Sequence, residues 1–149
     1  MRRRLALITP TRLALGGVLL AVSLVGDSAA RSVGLAFAVG VALVGFAALA
    51  DRRGVLLRKD SEPEPLPFYA VRDPSWRVVV SAAYPSTFGV TVLALIGLVA
   101  GNEVLGALLG GAVAGLGVAS AVGLVVLLAW EHERGDRLYL GSNGRRYVG

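Results

Sequence analysis

The chain has 149 residues, of which 55% are hydrophobic and 17% charged, and its mean hydropathy is +0.69. A soluble domain carries about 25% charged residues, so this composition belongs to an integral membrane protein with little length left for a soluble core. The absence of cysteine excludes disulfides, thiol catalysis and cysteine metal sites, and a single histidine excludes a multi-histidine centre within one chain. The formal charge of +5 has to be read by its placement.

The start, Met1-Arg2-Arg3-Arg4, is a basic cluster. Thr9-Pro10 has the pattern of a hydroxyl N-cap followed by proline at the first helical position. A first span is therefore expected over 10–26, with Arg12 in its first turn reaching back to the interface. The rival reading is a signal peptide: a basic start, an apolar middle, and Ser28-Ala29-Ala30 as a small-residue cleavage site. After a polar turn from Asp27 to Ser32, the apolar run 33–50 predicts a second span, with Gly34, Ala38 and Ala42 as a small-residue ridge and Asp51-Arg52-Arg53-Gly54 as its stop.

Residues 51–77 form the longest polar stretch and are expected to be a cytoplasmic loop. Alternating prolines at Pro63, Pro65 and Pro67 remove donors and fix φ, so this part reads as an extended spacer. Phe68, Tyr69, Trp76 and Tyr84 are suited to the headgroup level. Asp73-Pro74 resembles another helix start, and Pro85 opens a third predicted span, 85–101. Asn102-Glu103 then turns the chain into the fourth, 104–130, which carries no charge and ends at Trp130. About 20 apolar residues cross a bilayer core, so this span is long enough to cross with tilt. Gly111, Gly115, Ala119 and Gly123 recur every fourth residue along it as one ridge, and Gly106 and Gly110 begin a second. Glycine costs roughly 1 kcal/mol against alanine in a helix in water, whereas in lipid it lets another backbone approach. These six are the candidate helix-packing residues.

The tail, 131–149, is polar. Asn143-Gly144 between strand-like runs signals a β-hairpin, and Gly54 to Arg58 is a candidate third strand. The expected fold class is an all-α integral membrane protein: four transmembrane helices as two hairpins in a single domain, with a short cytoplasmic β-hairpin at the C-terminus.

Orientation follows from charge. Taking the segments alternately, fourteen of the 15 Lys and Arg residues fall in the N-terminal region, the middle loop and the tail, and Arg31 alone in the short turns. Lys and Arg mark the cytoplasmic side, so both termini are expected to be cytoplasmic in the cell membrane. Eight of the ten acids share that side, leaving it 14 − 8 = +6. Such a face attracts anionic headgroups, although these residues are also what sets topology. Nucleic-acid binding is not expected, since no basic helix or aromatic–basic interleaving is present.

Pro10 and Pro85 each precede a glycine-ended span by the same spacing, Gly26-Asp27 and Gly101-Asn102, and Arg53-Gly54 is echoed by Arg134-Gly135. Two hairpins of one orientation would be a parallel repeat, although apolar sequence matches itself by chance with ease.

No enzymatic signature stands out. With Arg12 assigned to a first turn, the span interiors carry no ionisable residue, which disfavours a proton relay or intramembrane ion site. Ser23, Ser81, Ser86, Thr87, Thr91 and Ser120 are read as bonding helical carbonyls or neighbouring helices. Glu131-His132-Glu133 cannot converge on one point when adjacent on a helix; Glu131 could pair with Arg134, and Glu133 with Arg137 if the helix passes Gly135. Gly115-Leu116-Gly117 lies mid-span and lacks the strand and basic residue of a phosphate loop. No cofactor and no metal are expected. The leading expectation is a helix-packing interaction or accessory-subunit protein, forming a homo-oligomer or binding a partner membrane protein. A passive small-solute transporter or channel is the alternative, and a lipid-directed enzyme lacks a convergent set of groups.

Overall fold

The computed structural model describes residues 2–26, 28–57, 64–65, 77, 80, 86–135, 138–140 and 146–148. Among the described residues four helices are delimited: α1 (Arg2–Ser23), α2 (Ala30–Leu57), α3 (Ser86–Val99) and α4 (Glu103–Arg134). Three short strands follow the chain as β1 (Glu64–Pro65), β2 (Leu138–Leu140) and β3 (Arg146–Val148).

Helix α1 starts well before the predicted 10–26. Pro10 lies inside it, and Thr9 is not an N-cap. Proline removes the amide that would bond the carbonyl of Ala6. On either side, Thr9 Oγ1 donates to Leu5 O at 2.7 Å and Thr11 Oγ1 to Leu7 O at 3.0 Å. These hydroxyls bond the carbonyls on either side of Ala6, and neither replaces the amide that Pro10 removes. The buried face of α1 is Leu5, Ile8, Arg12, Gly16, Leu19 and Ser23, a three-four repeat that makes one continuous seam.

Helix α2 also overruns its expected 33–50. Asp51-Arg52-Arg53-Gly54 does not stop it, and Gly54–Leu57 are helix rather than a third strand. That strand comes from Glu64–Pro65 instead, within the proline-rich stretch. It pairs in parallel with β3, and β2 pairs antiparallel with β3, giving the order β1-β3-β2. Pro65 is on an edge strand, where a missing donor is tolerated. The turn carrying Asn143-Gly144, and Phe68, Tyr69, Asp73-Pro74, Trp76, Ser81, Tyr84 and Pro85, lie outside the described residues.

Helix α3 is shorter than the expected 85–101. Its 14 residues extend about 21 Å, against a hydrocarbon core of about 30 Å. α1, α2 and α4 are the helices long and apolar enough to cross a membrane. Gly101, at φ +75°, closes α3: its N–H bonds Leu98 O at 3.0 Å, and the next amide, of Asn102, bonds Gly97 O at 2.9 Å. This is a Schellman ending. Asn102 then caps α4, its side chain accepting from Leu105 N at 3.0 Å, while Glu103 favours the positive helix start. α4 exceeds 104–130 at both ends and closes on Gly135, at φ +73°. The helix does not pass Gly135, and Arg137, the expected partner of Glu133, lies outside the described residues.

α4 is the centre of the bundle. Half of its apolar stretch is buried, against 28% for α1 and 17% for α2, so the other helices pack around it. α1 and α2 each lie along α4 and touch one another little. The arrangement is thus three helices on one, and the two halves suggested by the glycine spacing are not packed equivalently. The 24–29 and 100–102 turns meet at one end, where Ser28 Oγ donates to Glu103 Oε2 at 2.6 Å.

Candidate functional site

Helix α4 presents two small-residue faces, and each receives a different neighbour. On one, Gly111 abuts the Phe37 carbonyl of α2, and Gly40 of α2 abuts the Leu108 carbonyl. A Cβ at Gly115 would lie 2.7 Å from Val41 O and 2.9 Å from Gly45 N. Real Cβ atoms do not come so close to backbone, so glycine at these positions is what permits main chain to touch main chain. The ridge continues through Ala119, fully buried, and Gly123, also buried. On the other face, a Cβ at Gly110 would lie 2.8 Å from Leu19 Cβ of α1, and Gly16 of α1 faces Ala114 and the Gly110 carbonyl. Gly106 packs on Leu98 of α3 and on Ser23. Both ridges are therefore covered within the chain, and neither stands open for a second subunit.

Small residues stand open elsewhere: Ala14, Gly17 and Ala21 are exposed on α1, and a longer ridge is open on α2. Gly34 has nothing within 4 Å of a built Cβ, and Ala38 and Ala42 are exposed. The α2 face toward α4 is made instead by Gly40 and Gly45 with Phe37 and Val41. Around the open ridge stand Leu35, Leu43 and Phe46, each more than 60% exposed. The exposed row on α3 is Phe88, Leu93, Ile96 and Val99. Surfaces this apolar suit lipid or another helix.

Arg12 is not in a first turn. It is 7% exposed, near the middle of α1, and is the charged side chain that the bundle buries among the described residues. Its Nε donates to Thr87 Oγ1 of α3 at 2.8 Å, and one terminal nitrogen donates to Ser120 Oγ of α4 at 2.8 Å and to Leu116 O at 3.5 Å. Ser120 Oγ in turn donates to Leu116 O at 2.7 Å. One guanidinium thus ties three helices. Cβ bonds tilt toward a helix N-terminus, so the side chain does extend toward the charged end, as a snorkelling arginine would, but it stops at hydroxyls inside the bundle.

The remaining hydroxyls behave as helix-bound groups: Ser23 Oγ donates to Leu19 O and Thr91 Oγ1 to Thr87 O. Among the described residues no buried side-chain nitrogen or oxygen lacks a hydrogen-bond partner, and no group of three His, Asp or Glu could hold a metal. His132 and Glu133 are exposed at the end of α4. The periodicity that would have placed Arg12 is legible once α1 is started at Arg2, because Leu5, Ile8, Arg12 and Leu19 then share a face. Thr9-Pro10 concealed it by resembling a helix start.

No protein-family model matches the chain, and neither a curated protein nor a solved structure matches it.

Proposed function

We propose that this chain is a small multi-pass protein of the cell membrane, with both termini cytoplasmic, that works as an interaction or accessory subunit. The outer face of α2 is its docking surface. The observation that carries this reading is the open Gly34-Ala38-Ala42 ridge: among the described residues a Cβ at Gly34 would meet nothing within 4 Å and Ala38 and Ala42 are exposed, whereas both ridges of α4 are covered within the chain. Small residues at four-residue spacing let a second membrane helix approach closely. The occupant is a helix of another copy or of a partner membrane protein.

The substitutions Gly34→Leu and Ala38→Leu test it, because they alter the open ridge without touching the α2–α4 contact. The expected result is loss of a dimer mass, or of a co-purifying membrane protein, in mild detergent with unchanged helicity. A chain that is monomeric and unaccompanied both before and after substitution rejects the reading.

Arg12 favours a second reading, a passive path for small anions between α1, α3 and α4, since buried intramembrane charge commonly marks such routes. Sealed vesicles containing the protein that remain impermeable to chloride and other small anions would reject it.

A further inference from the structure

We infer that α3 is a hinged lid on the bundle, pivoting at Gly101 and latched shut by Arg12 through Thr87. The three outer helices are attached to α4 in two different ways. α1 and α2 are seated main chain on main chain: Gly16 of α1 faces the Gly110 carbonyl, Gly40 of α2 faces the Leu108 carbonyl, and Gly111 of α4 faces the Phe37 carbonyl. Where α3 meets α4, side chains intervene. A Cβ at Gly97 would have Leu105 Cδ2 as its nearest neighbour at 3.3 Å, and Gly106 is covered by the Leu98 side chain. Side chains can turn aside, whereas carbonyls fixed in a helix cannot. α3 also touches α1 little, and it buries Thr87, Ala94 and Gly97 while Phe88, Leu93, Ile96 and Val99 already face outward. Lipid tails are as apolar as those side chains, so no hydrophobic force holds the helix down.

The two ends of α3 are built differently. At Gly101, φ +75°, the chain makes its Schellman turn, and a Cβ there would meet nothing within 4 Å. The base beyond the turn is fixed: Asn102 caps α4, and Glu103 accepts the 2.6 Å bond from Ser28. At the other end Thr87 is buried, and its Oγ1 accepts from Arg12 Nε at 2.8 Å. Arg12 is anchored independently of α3, since a terminal nitrogen donates to Ser120 Oγ of α4 at 2.8 Å. The latch therefore has a fixed part, on α1 and α4, and a part that travels with α3. Thr87 and Gly101 are about 21 Å apart along the helix axis, so a swing of about 10° at the hinge moves the Thr87 hydroxyl by about 4 Å. That takes it out of hydrogen-bond reach. Opening turns Arg12 and Ser120 toward the bilayer, where a guanidinium is expensive, so the lid rests closed. The device goes beyond docking on α2 and holds whichever partner that face takes.

The chain has no cysteine, so paired spin labels can be placed on it without background. One pair, Ser86→Cys with Phe46→Cys, reports on the latched end of α3, and the other, Val99→Cys with Leu35→Cys, on the hinged end; all four positions are exposed. Distances within each pair are measured by pulsed electron resonance on the full chain in lipid nanodiscs. With Thr87 in place, each pair should give one distance. Thr87→Val replaces the hydroxyl by a methyl group and should shift the opening equilibrium by about tenfold or more, so that the first pair gains a second distance while the second pair keeps its one. Thr87→Ser retains the hydroxyl and should match the unaltered chain. A single distance at the latched end after Thr87→Val would overturn the proposal, as would an equal change at both ends, which marks general loosening. A Thr87→Val chain that fails to assemble would also overturn it, because releasing a latch leaves α1, α2 and α4 packed.

Discussion

Arg12 shows how a charge is kept inside an apolar bundle. Placing an arginine at the centre of a membrane helix costs about 2.5–3.5 kcal/mol on insertion scales. A hydrogen bond to a charged group returns about 1.5–3 kcal/mol, so the two 2.8 Å bonds to Thr87 and Ser120 are enough to offset most of that cost. The oxygen of Ser120 is well suited to the task, because its own proton is already committed to Leu116 O and its lone pairs face the guanidinium. Ser120→Ala should therefore destabilise the bundle by about 1–2 kcal/mol with Arg12 present and by close to nothing in an Arg12→Leu background. Unfolding in detergent of the four chains of this cycle measures the coupling; an identical cost in both backgrounds would show that the bond contributes nothing.

At the scale of the element, glycine has opposite consequences at different places on helices of similar composition. At Gly111 a new Cβ meets the Phe37 carbonyl, which belongs to the backbone and cannot rotate away. Gly111→Ala should then cost about 1–3 kcal/mol through overpacking, because α2 has to move off α4. At Gly34 a Cβ meets nothing, and Gly34→Ala should stabilise α2 by up to about 1 kcal/mol. Thermal unfolding of the two variants should move in opposite directions, and movement in the same direction would contradict the packing described. Helix α3 differs from both. It buries a narrow seam, Thr87, Ala94 and Gly97, and its attachment is shared between the Arg12 bond at one end and the Gly101 turn at the other.

For the whole molecule, helix lengths and turns define two ends. The 24–29 and 100–102 turns meet at one, and the chain leaves α2 and α4 at the other, where β1, β2 and β3 join the middle segment to the tail. Helix α4, at 32 residues and about 48 Å, is longer than a hydrocarbon core of about 30 Å. A chain without cysteine is convenient for testing this. A single cysteine at Ser28 should react with an impermeant maleimide added to intact cells, and one at Ser142 should react only after the membrane is opened. The reverse pattern would invert the orientation derived from arginine placement.

Apolar run lengths were sufficient to mark helices, three of which are long and apolar enough to cross a membrane, because in lipid the backbone has to satisfy its own hydrogen bonds and helix does so within one segment. The asymmetry of Arg and Lys was likewise legible without coordinates, as was a turn before the last helix, although it falls at 100–102 and Glu103, expected in the turn, is helical. Helix ends were not. Thr9-Pro10 resembles a start and Asp51–Gly54 a stop, yet α1 is helical from Arg2 through Pro10 and α2 continues to Leu57. Spacing along one helix specifies which small residues share a face, but it does not say which face another helix will occupy. That was decided in three dimensions: Gly40 and Gly45 meet α4 while Gly34 stays open, and Arg12 finds Thr87 and Ser120, each on a helix distant in sequence. Such contacts depend on how helices are arranged around one another, and the pattern within any single helix does not contain that information.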